Sequence, residues 1–484
     1  MNVLTFPPLS LDFNRGYNAT RVTLHLPWLN DDILLSIFDC YRLDEDNGWN
    51  ARLGWCKLSH VCQRWRHLIY QCAFHLGMHI KCTNGSPIVD MLDHLPPLPL
   101  VIYYEHTRSG VSLTEKDEVG IYHALWLHDR VYHIDLKLPP SILHKILVLL
   151  DVEFPILEHL SLSPTFLATC ESSLPLTLPK AFLAPNLRHL AFPSTSPPRR
   201  LRVLISTVSL VKLLLSNIKT SSYFRPRLLV GRLQSLPILE ELFIGFSIPI
   251  PRPSTERELL GEQRAPVTLP SLKILRFKGV ITYLESLVAQ IRVPLLEQLL
   301  VTSFYQIAIA LPHLSNLIHD TEALNLPSAA VRFDRNVVFV TTAHHGPPWF
   351  SPAPPAPFLF RMKCNELDWQ IDCAAQICHA LIPALSRVEK LTLHHKRGQI
   401  TTELRNDAID SAMWHDLLRP FIGVKVLYLD AALLEELSRA LQADEVRSDP
   451  GFLPNLRYRY KTRSVYHVDQ YSSSRGHLIE FFGR

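Results

Sequence analysis

Residues 237–246 read Pro-Ile-Leu-Glu-Glu-Leu-Phe-Ile-Gly-Phe, and the spacing of Leu239, Leu242 and Ile244 decides how the rest of the chain is read. Leu242 and Ile244 alternate with a single residue between them, so on a short strand both side chains point to one face. Leu239 turns inward where the chain enters that strand. Working outward, the same order occurs as Leu157, Leu160, Leu162; as Leu187, Leu190, Phe192; and as Leu210, Leu213, Leu215. It returns as Leu272, Leu275, Phe277; as Leu296, Leu299, Val301; as Val388, Leu391, Leu393; and as Val424, Leu427, Leu429. Val131, Ile134 and Leu136 read as a degenerate first copy. Pro155, Pro185, Pro237, Pro270 and Pro294 each stand two residues ahead of the first apolar position.

As far as Leu296, consecutive copies start about 23 to 33 residues apart, which matches or slightly exceeds the period of leucine-rich repeats. Helical apolar spacing precedes several copies. Ile142, Ile146, Leu149 and Leu150 come before Leu157, and Leu284, Leu287, Val288 and Ile291 before Leu296. Ile377, Cys378, Leu381 and Ile382 come before Val388, and Leu433, Leu434, Leu437 and Leu441 before the C-terminal strand. Strand and helix alternating at so short a period predict an α/β fold: a parallel sheet with helices on its outer side, wound as a curved solenoid. The array is irregular. Pro249–Pro266 reads as a polar insertion. Residues 304–384 carry no clean copy, although Val337–Thr341 reads as a strand. Within them the proline-rich run HGPPWFSPAPPAP, His345–Pro357, predicts an extended loop that interrupts the solenoid or projects from it. Pro454–Lys461, alternating Leu456, Tyr458 and Tyr460 with basic residues, predicts a last, capping strand.

Ahead of the array, Leu29–Ile69 carries two amphipathic helix patterns. In the first, Ile33, Leu34, Ile37, Phe38 and Tyr41 recur at helical spacing, with Asn30 or Asp31 placed to cap the start. In the second, Leu58, Val61, Cys62, Trp65, Leu68 and Ile69 form one apolar stripe opposite Ser59, Gln63, Arg64 and Arg66. Cys62 on that stripe is expected to be a buried small hydrophobe. Further on, Ser86-Pro87 offers an N-cap and first-turn proline for a helix carrying Ile88, Met91 and Leu92. Leu100–Tyr104 follows as a strand.

The run DDILLSIFD (Asp31–Asp39) and the run LSHVCQRWRHLI (Leu58–Ile69) together resemble an F-box, the Val-Cys-x-x-Trp order being the more specific part. Followed by leucine repeats, the whole chain looks like the F-box proteins abundant in mushroom-forming fungi. Two features differ from that family. Leu29-Asn30 stands where Leu-Pro is usual, the Leu-Pro pair lying earlier at Leu26-Pro27, and the link Arg42–Gly54 is long. The resemblance implies docking on a Skp-type adaptor of a cullin complex through Leu29, Ile33, Leu34, Ile37, Phe38, Val61 and Trp65, with an unidentified target protein bound by the repeats. The chain would then be a substrate-recognition subunit in the ubiquitin conjugation pathway, cytoplasmic or nuclear, and not itself an enzyme. Periodicity alone also allows a scaffold without that role, its N-terminal helices serving only to cap the array.

The expected organisation is a leader over 1–25, an F-box-like helical unit over 26–80 and a connecting segment over 81–120. The repeat array follows over 121–303, an irregular insertion with the proline-rich loop over 304–384, and terminal repeats with a capping strand over 385–484. With 484 residues, 47% of them hydrophobic, the chain can bury a large core. A net charge of +4 gives no global pull towards nucleic acid or membrane. Nine scattered cysteines fit a reducing compartment rather than a disulfide framework. The start, MNVLTFPPLSLDF, is a poor signal peptide, and no uncharged apolar run is long enough to span a bilayer.

Residue patterns for chemistry are absent. There is no Gly-x-x-x-x-Gly-Lys, Gly-x-Gly-x-x-Gly, Gly-x-Ser-x-Gly or His-Glu-x-x-His. The pairs His344-His345 and His394-His395, and the group Cys373, Cys378 and His379, show no closed four-ligand spacing, so no metal and no cofactor is expected. The tail Arg457–Arg463, RYRYKTR, mixes bases with aromatics but reads better as an edge strand protected by charge than as a nucleic-acid contact.

Overall fold

The computed structural model describes residues 29–45, 58–72, 79–95, 97–106, 113–165, 176, 178–193, 207–218, 224–247, 249, 266–306, 308–325, 327–343, 356–364, 367–395, 411–434, 437, 453–462 and 479–480. The chain divides into two compact units, Met1–Met78 and His79–Arg484.

In the first unit lie helices α1 (Asp31–Glu45) and α2 (Gln63–Gln71). The single stripe expected over Leu58–Ile69 is broken in two. A helical turn at Leu58-Ser59 gives way to a turn at His60-Val61, and α2 starts afresh after Cys62. Cys62 is the N-cap: its backbone is extended and its sulfur accepts from the Trp65 N–H at 3.5 Å. It is therefore exposed and not the buried hydrophobe that the stripe suggested. The leader 1–25 and most of Arg42–Gly54 lie outside the described residues.

Among the described residues, the second unit is built on one 16-stranded sheet. It opens with β1 (Ile80–Thr83), α3 (Ile88–His94), β2 (Leu100–Glu105), α4 (Glu115–Trp126), β3 (Val131–Leu138) and α5 (Pro140–Leu149). It continues through β4 (His159–Pro164), β5 (His189–Pro193), β6 (Lys212–Ile218), α6 (Pro226–Leu233) and β7 (Glu241–Phe246). Then come β8 (Val267–Thr268), β9 (Ile274–Gly279), α7 (Ile281–Val288), β10 (Ile291–Arg292), β11 (Gln298–Ser303) and α8 (Pro312–Asp320). From β1 to β11 the strands lie side by side in chain order and all pair in parallel, with β8 and β10 forming a separate small ribbon. The sheet thus begins at Ile80, ahead of the first copy of the leucine pattern.

Register follows the pattern. Leu160 sits opposite Leu190, which sits opposite Leu213, then Leu242, Leu275 and Leu299. Every residue of the nine quoted copies, from Val131 to Leu429, is buried, none more than 7% exposed. The inward leucines meet helices: α4 packs on β2, α5 on β4 and α7 on β9. The residues between the leucines face the other side of the sheet and are mostly half-exposed. The turns explain the prolines. Asn186, Ser209 and Ser271 donate side-chain hydrogen bonds to the carbonyls of Pro155, Pro185 and Pro237 in the preceding copy, at 2.7, 3.1 and 2.9 Å. A residue without an N–H loses nothing there, and its carbonyl is satisfied by the next repeat.

Residues 304–384, which carry no clean copy of the pattern, belong to the sheet. They supply α8 and the strands β12 (Ser328–Asp334), β13 (Val337–Ala343) and β14 (Phe358–Lys363), and the sheet runs β11-β14-β13-β12 before the next repeat strand. The chain crosses to β12, turns at Arg335-Asn336, returns antiparallel as β13, and fills the gap beside β11 as β14. Val331 and Phe333, Val338 and Val340, and Phe358, Phe360 and Met362 keep the period-two burial going. Most of the proline-rich run (344–355) and most of the Pro249–Pro266 insertion (251–265) lie outside the described residues.

After α9 (Leu367–Ala380) and α10 (Ile382–Leu385), β15 (Lys390–His395) pairs in parallel with β12 and resumes the array. It is followed by α11 (Ser411–Leu418), β16 (Val426–Asp430), β17 (Tyr458–Thr462) and β18 (Ile479–Glu480). β17 is not the last strand, because β18 pairs with its other side. Two helix expectations also shift. Pro87 is itself the N-cap of α3, while Ser86 bonds the Thr83 hydroxyl at 3.0 Å. Beyond β16 the helical pattern begins as a 3-10 turn, Ala431–Leu433, and Leu441 lies outside the described residues. Among the described residues no helix is long and apolar enough to cross a membrane.

Candidate partner-binding site

Two acidic residues, Asp31 and Asp32, open α1, where the helix dipole favours negative charge. Asn30 precedes them, and its carbonyl accepts the Leu34 N–H at 3.1 Å. Successive residues on a helix are turned by about 100°. The apolar quartet of α1 therefore splits into two adjacent stripes. Leu34 and Phe38 point inward, each 1% exposed, whereas Ile33 and Ile37 are 49% and 43% exposed.

The inward stripe meets α2. The rings of Phe38 and Trp65 stand edge to face with centroids 4.9 Å apart. Leu68 and Ile69 are buried, and Trp65 is half-buried. Arg64 ties the start of α1 to α2. Its guanidinium reaches Asp31 Oδ1 through two nitrogens, at 2.6 and 3.2 Å, and donates to the Leu29 carbonyl at 2.7 Å. Arg66 donates to the Ser59 carbonyl at 2.9 Å. Val61, in the turn before α2, is 58% exposed.

The seven residues singled out in the sequence thus separate. Leu34 and Phe38 are core, Leu29 and Trp65 half-buried, and Ile33, Ile37 and Val61 present apolar surface to solvent. An apolar face of this kind can bury itself against another protein.

A second cluster escaped sequence reading. His133, His159 and His189 occupy equivalent positions on β3, β4 and β5, each opposite the next. The first two rings stack at 4.0 Å, and His159 and His189 bring their Nδ1 atoms within 3.2 Å, one donating to the other. Burial, then the neighbouring histidines, pushes His133 down to about 3. Burial and the His189 charge push His159 down to about 4, and burial also lowers His189, helped by Lys212 and Arg188. All three are neutral imidazoles near neutral pH. The available signal was a histidine just ahead of the strand leucine in three successive copies, which adjacent-pair searching does not see.

His394 and His395 are both buried at the end of β15, with His394 Nε2 3.5 Å from Asp430 Oδ2. Cys373 and Cys378 are buried in α9, and the Sγ of Cys373 lies 3.9 Å from that of Cys364. The Cys364 contact and burial push the Cys373 thiol up, and burial alone raises Cys378. Among the described residues no group of three or more His, Cys, Asp or Glu is arranged to hold a metal ion. His344 and His345 lie outside them.

No family model matches the chain, and no curated protein does. Among solved structures, the leucine-rich repeat-containing protein LegL7 from Legionella pneumophila is similar over 80% of this chain and 91% of its own length, with 12% sequence identity and a TM-score of 0.27.

Proposed function

We propose that this chain is the substrate-recognition subunit of a cullin-based ubiquitin ligase, acting in the cytoplasm or nucleus. Its N-terminal helices dock on a Skp-type adaptor and its leucine-repeat array holds a target protein. The chain performs no chemistry itself. It raises the effective concentration of the target at the transfer machinery carried by other subunits. One observation carries this reading: on α1 the F-box-like run keeps Leu34 and Phe38 for its own core and leaves Ile33 and Ile37 uncovered. Two large apolar side chains exposed one turn apart on one helix are a surface that a partner can cover.

The test is co-elution of purified adaptor with the full-length chain. Ile33→Asp with Ile37→Asp is expected to abolish it while the circular dichroism spectrum is kept. The second reading, a protein-interaction scaffold whose helices merely cap the array, draws on the burial of Leu34, Phe38, Leu68 and Ile69. It predicts no adaptor binding by either form.

A further inference from the structure

The open face of the sheet changes character along the array. On β9, β14 and β12, away from the leucine core, stand Arg276 and Lys278, then Arg361 and Lys363, then Arg332. Register aligns them. Lys278 lies opposite Thr302, Thr302 opposite Arg361, Arg361 opposite Phe339, and Phe339 opposite Arg332. With strands about 4.8 Å apart, a cation recurs roughly every 10 Å across this row.

Phe339 holds two of them. The Arg332 guanidinium lies 4.1 Å from its ring centroid and that of Arg361 5.5 Å. Cation–π contact favours each guanidinium singly, but two like charges flanking one ring repel. Carboxylates offset only part of this charge. Asp334 lies 3.8 Å from Arg332, and Glu241 is shared between Arg276 and Lys212 at 3.4 Å each. The Asp430 carboxylate lies beside His394, deep in the fold. Lys278, Arg361 and Lys363 make no ion pair with a described carboxylate. One pleat away the row runs Phe243, Arg276, Leu300, Leu359, so a strip of half-exposed apolar side chains flanks the Arg276 cation on both sides.

We infer that this face, from β7 to β12, binds an acidic amphipathic segment of a partner protein, its carboxylates on Lys278, Arg361 and Arg332 and its apolar side chains on the strip. The inference rests on the target-recognition half of the proposed function and names the chemistry of the target. Nucleic acid fits less well. A phosphodiester backbone would leave Phe243, Leu300 and Leu359 without partners, and the chain as a whole carries only +4.

The test uses the full-length chain and a fluorescein-labelled peptide with Glu on one side and Leu on the other, followed by anisotropy. Binding is expected to weaken as salt rises. It should fall at least about tenfold when every Glu is replaced by Gln, and again with Lys278→Glu and Arg361→Glu together. Arg361→Gln alone, at an exposed position, should weaken it less and guards against misfolding of the double variant. Lys137→Glu on β3, on the same face but remote from the row, should leave it unchanged. Equal binding of the Gln peptide, indifference to both Arg361 variants, or tighter binding of a single-stranded oligonucleotide than of the Glu peptide would overturn the inference. Adaptor capture measured on the same variants is expected to be intact, so a failure here is separable from failure of adaptor docking.

Discussion

The indole of Trp65 meets the ring of Phe38 edge-on at 4.9 Å, and this contact joins the two N-terminal helices. Phe38 is 1% exposed, so Phe38→Ala removes a fully buried ring and leaves a cavity. The expected cost is about 3–5 kcal/mol, read as loss of hydrogen-exchange protection across α1 and α2. Ile33→Ala and Ile37→Ala, at exposed positions, should change that protection by less than about 0.5 kcal/mol. The difference separates residues that hold the unit together from those left on its surface.

The Arg64–Asp31 pair is a smaller matter. Its side chains are 43% and 56% exposed, so solvent screens it. Arg64→Met should cost about 1 kcal/mol or less and become neutral in high salt, measured by denaturant unfolding.

The histidine ladder predicts acid sensitivity. His133 and His159 titrate near 3 and 4 in the fold but near about 6.5 once unfolded. Below about 6.5 the unfolded chain binds more protons than the folded one, so stability is full above that pH and falls as pH drops towards 4. Replacing His133 and His159 together by Gln should flatten the fall in Tm between about pH 6.5 and pH 4. An unchanged slope would show that these rings are not what titrates.

Gly423 stands where other copies of the turn carry Arg, Ile, Asn, Ser or Leu. A Cβ placed there would come within 2.4 Å of the Ser386 carbonyl oxygen in the preceding copy, and backbone cannot step aside as a side chain can. Gly423→Ala should therefore destabilise the C-terminal repeats by more than about 1 kcal/mol, seen as earlier proteolysis there.

How much of this was legible in the sequence follows from what each element depends on. The parallel strands were, because Leu160, Leu190, Leu213, Leu242, Leu275 and Leu299 repeat a local pattern whose burial needs only the next copy. Of the hairpin β12–β13, the second strand was read at Val337–Thr341 and the first, β12, was hidden. Its alternation of Ala329, Val331 and Phe333 has no turn leucine and pairs with strands that come later in the chain. The break at His60-Val61 was missed because an apolar stripe continues through it, while Cys62, a weak acceptor, serves as the cap. In the candidate site the set of residues came from the resemblance to an F-box, and spacing supplied only the two helix patterns. Which side of α1 stayed uncovered depended on where Trp65 arrives, a tertiary fact that spacing does not encode.

The account turns on whether Ile33 and Ile37 are covered by a second protein. Isothermal titration of a purified Skp-type adaptor into the full-length chain measures this directly. Saturable one-to-one binding, weakened at least about tenfold by Ile33→Asp with Ile37→Asp and untouched by Lys278→Glu, is the predicted result. No heat and no complex with the intact, folded protein would contradict it.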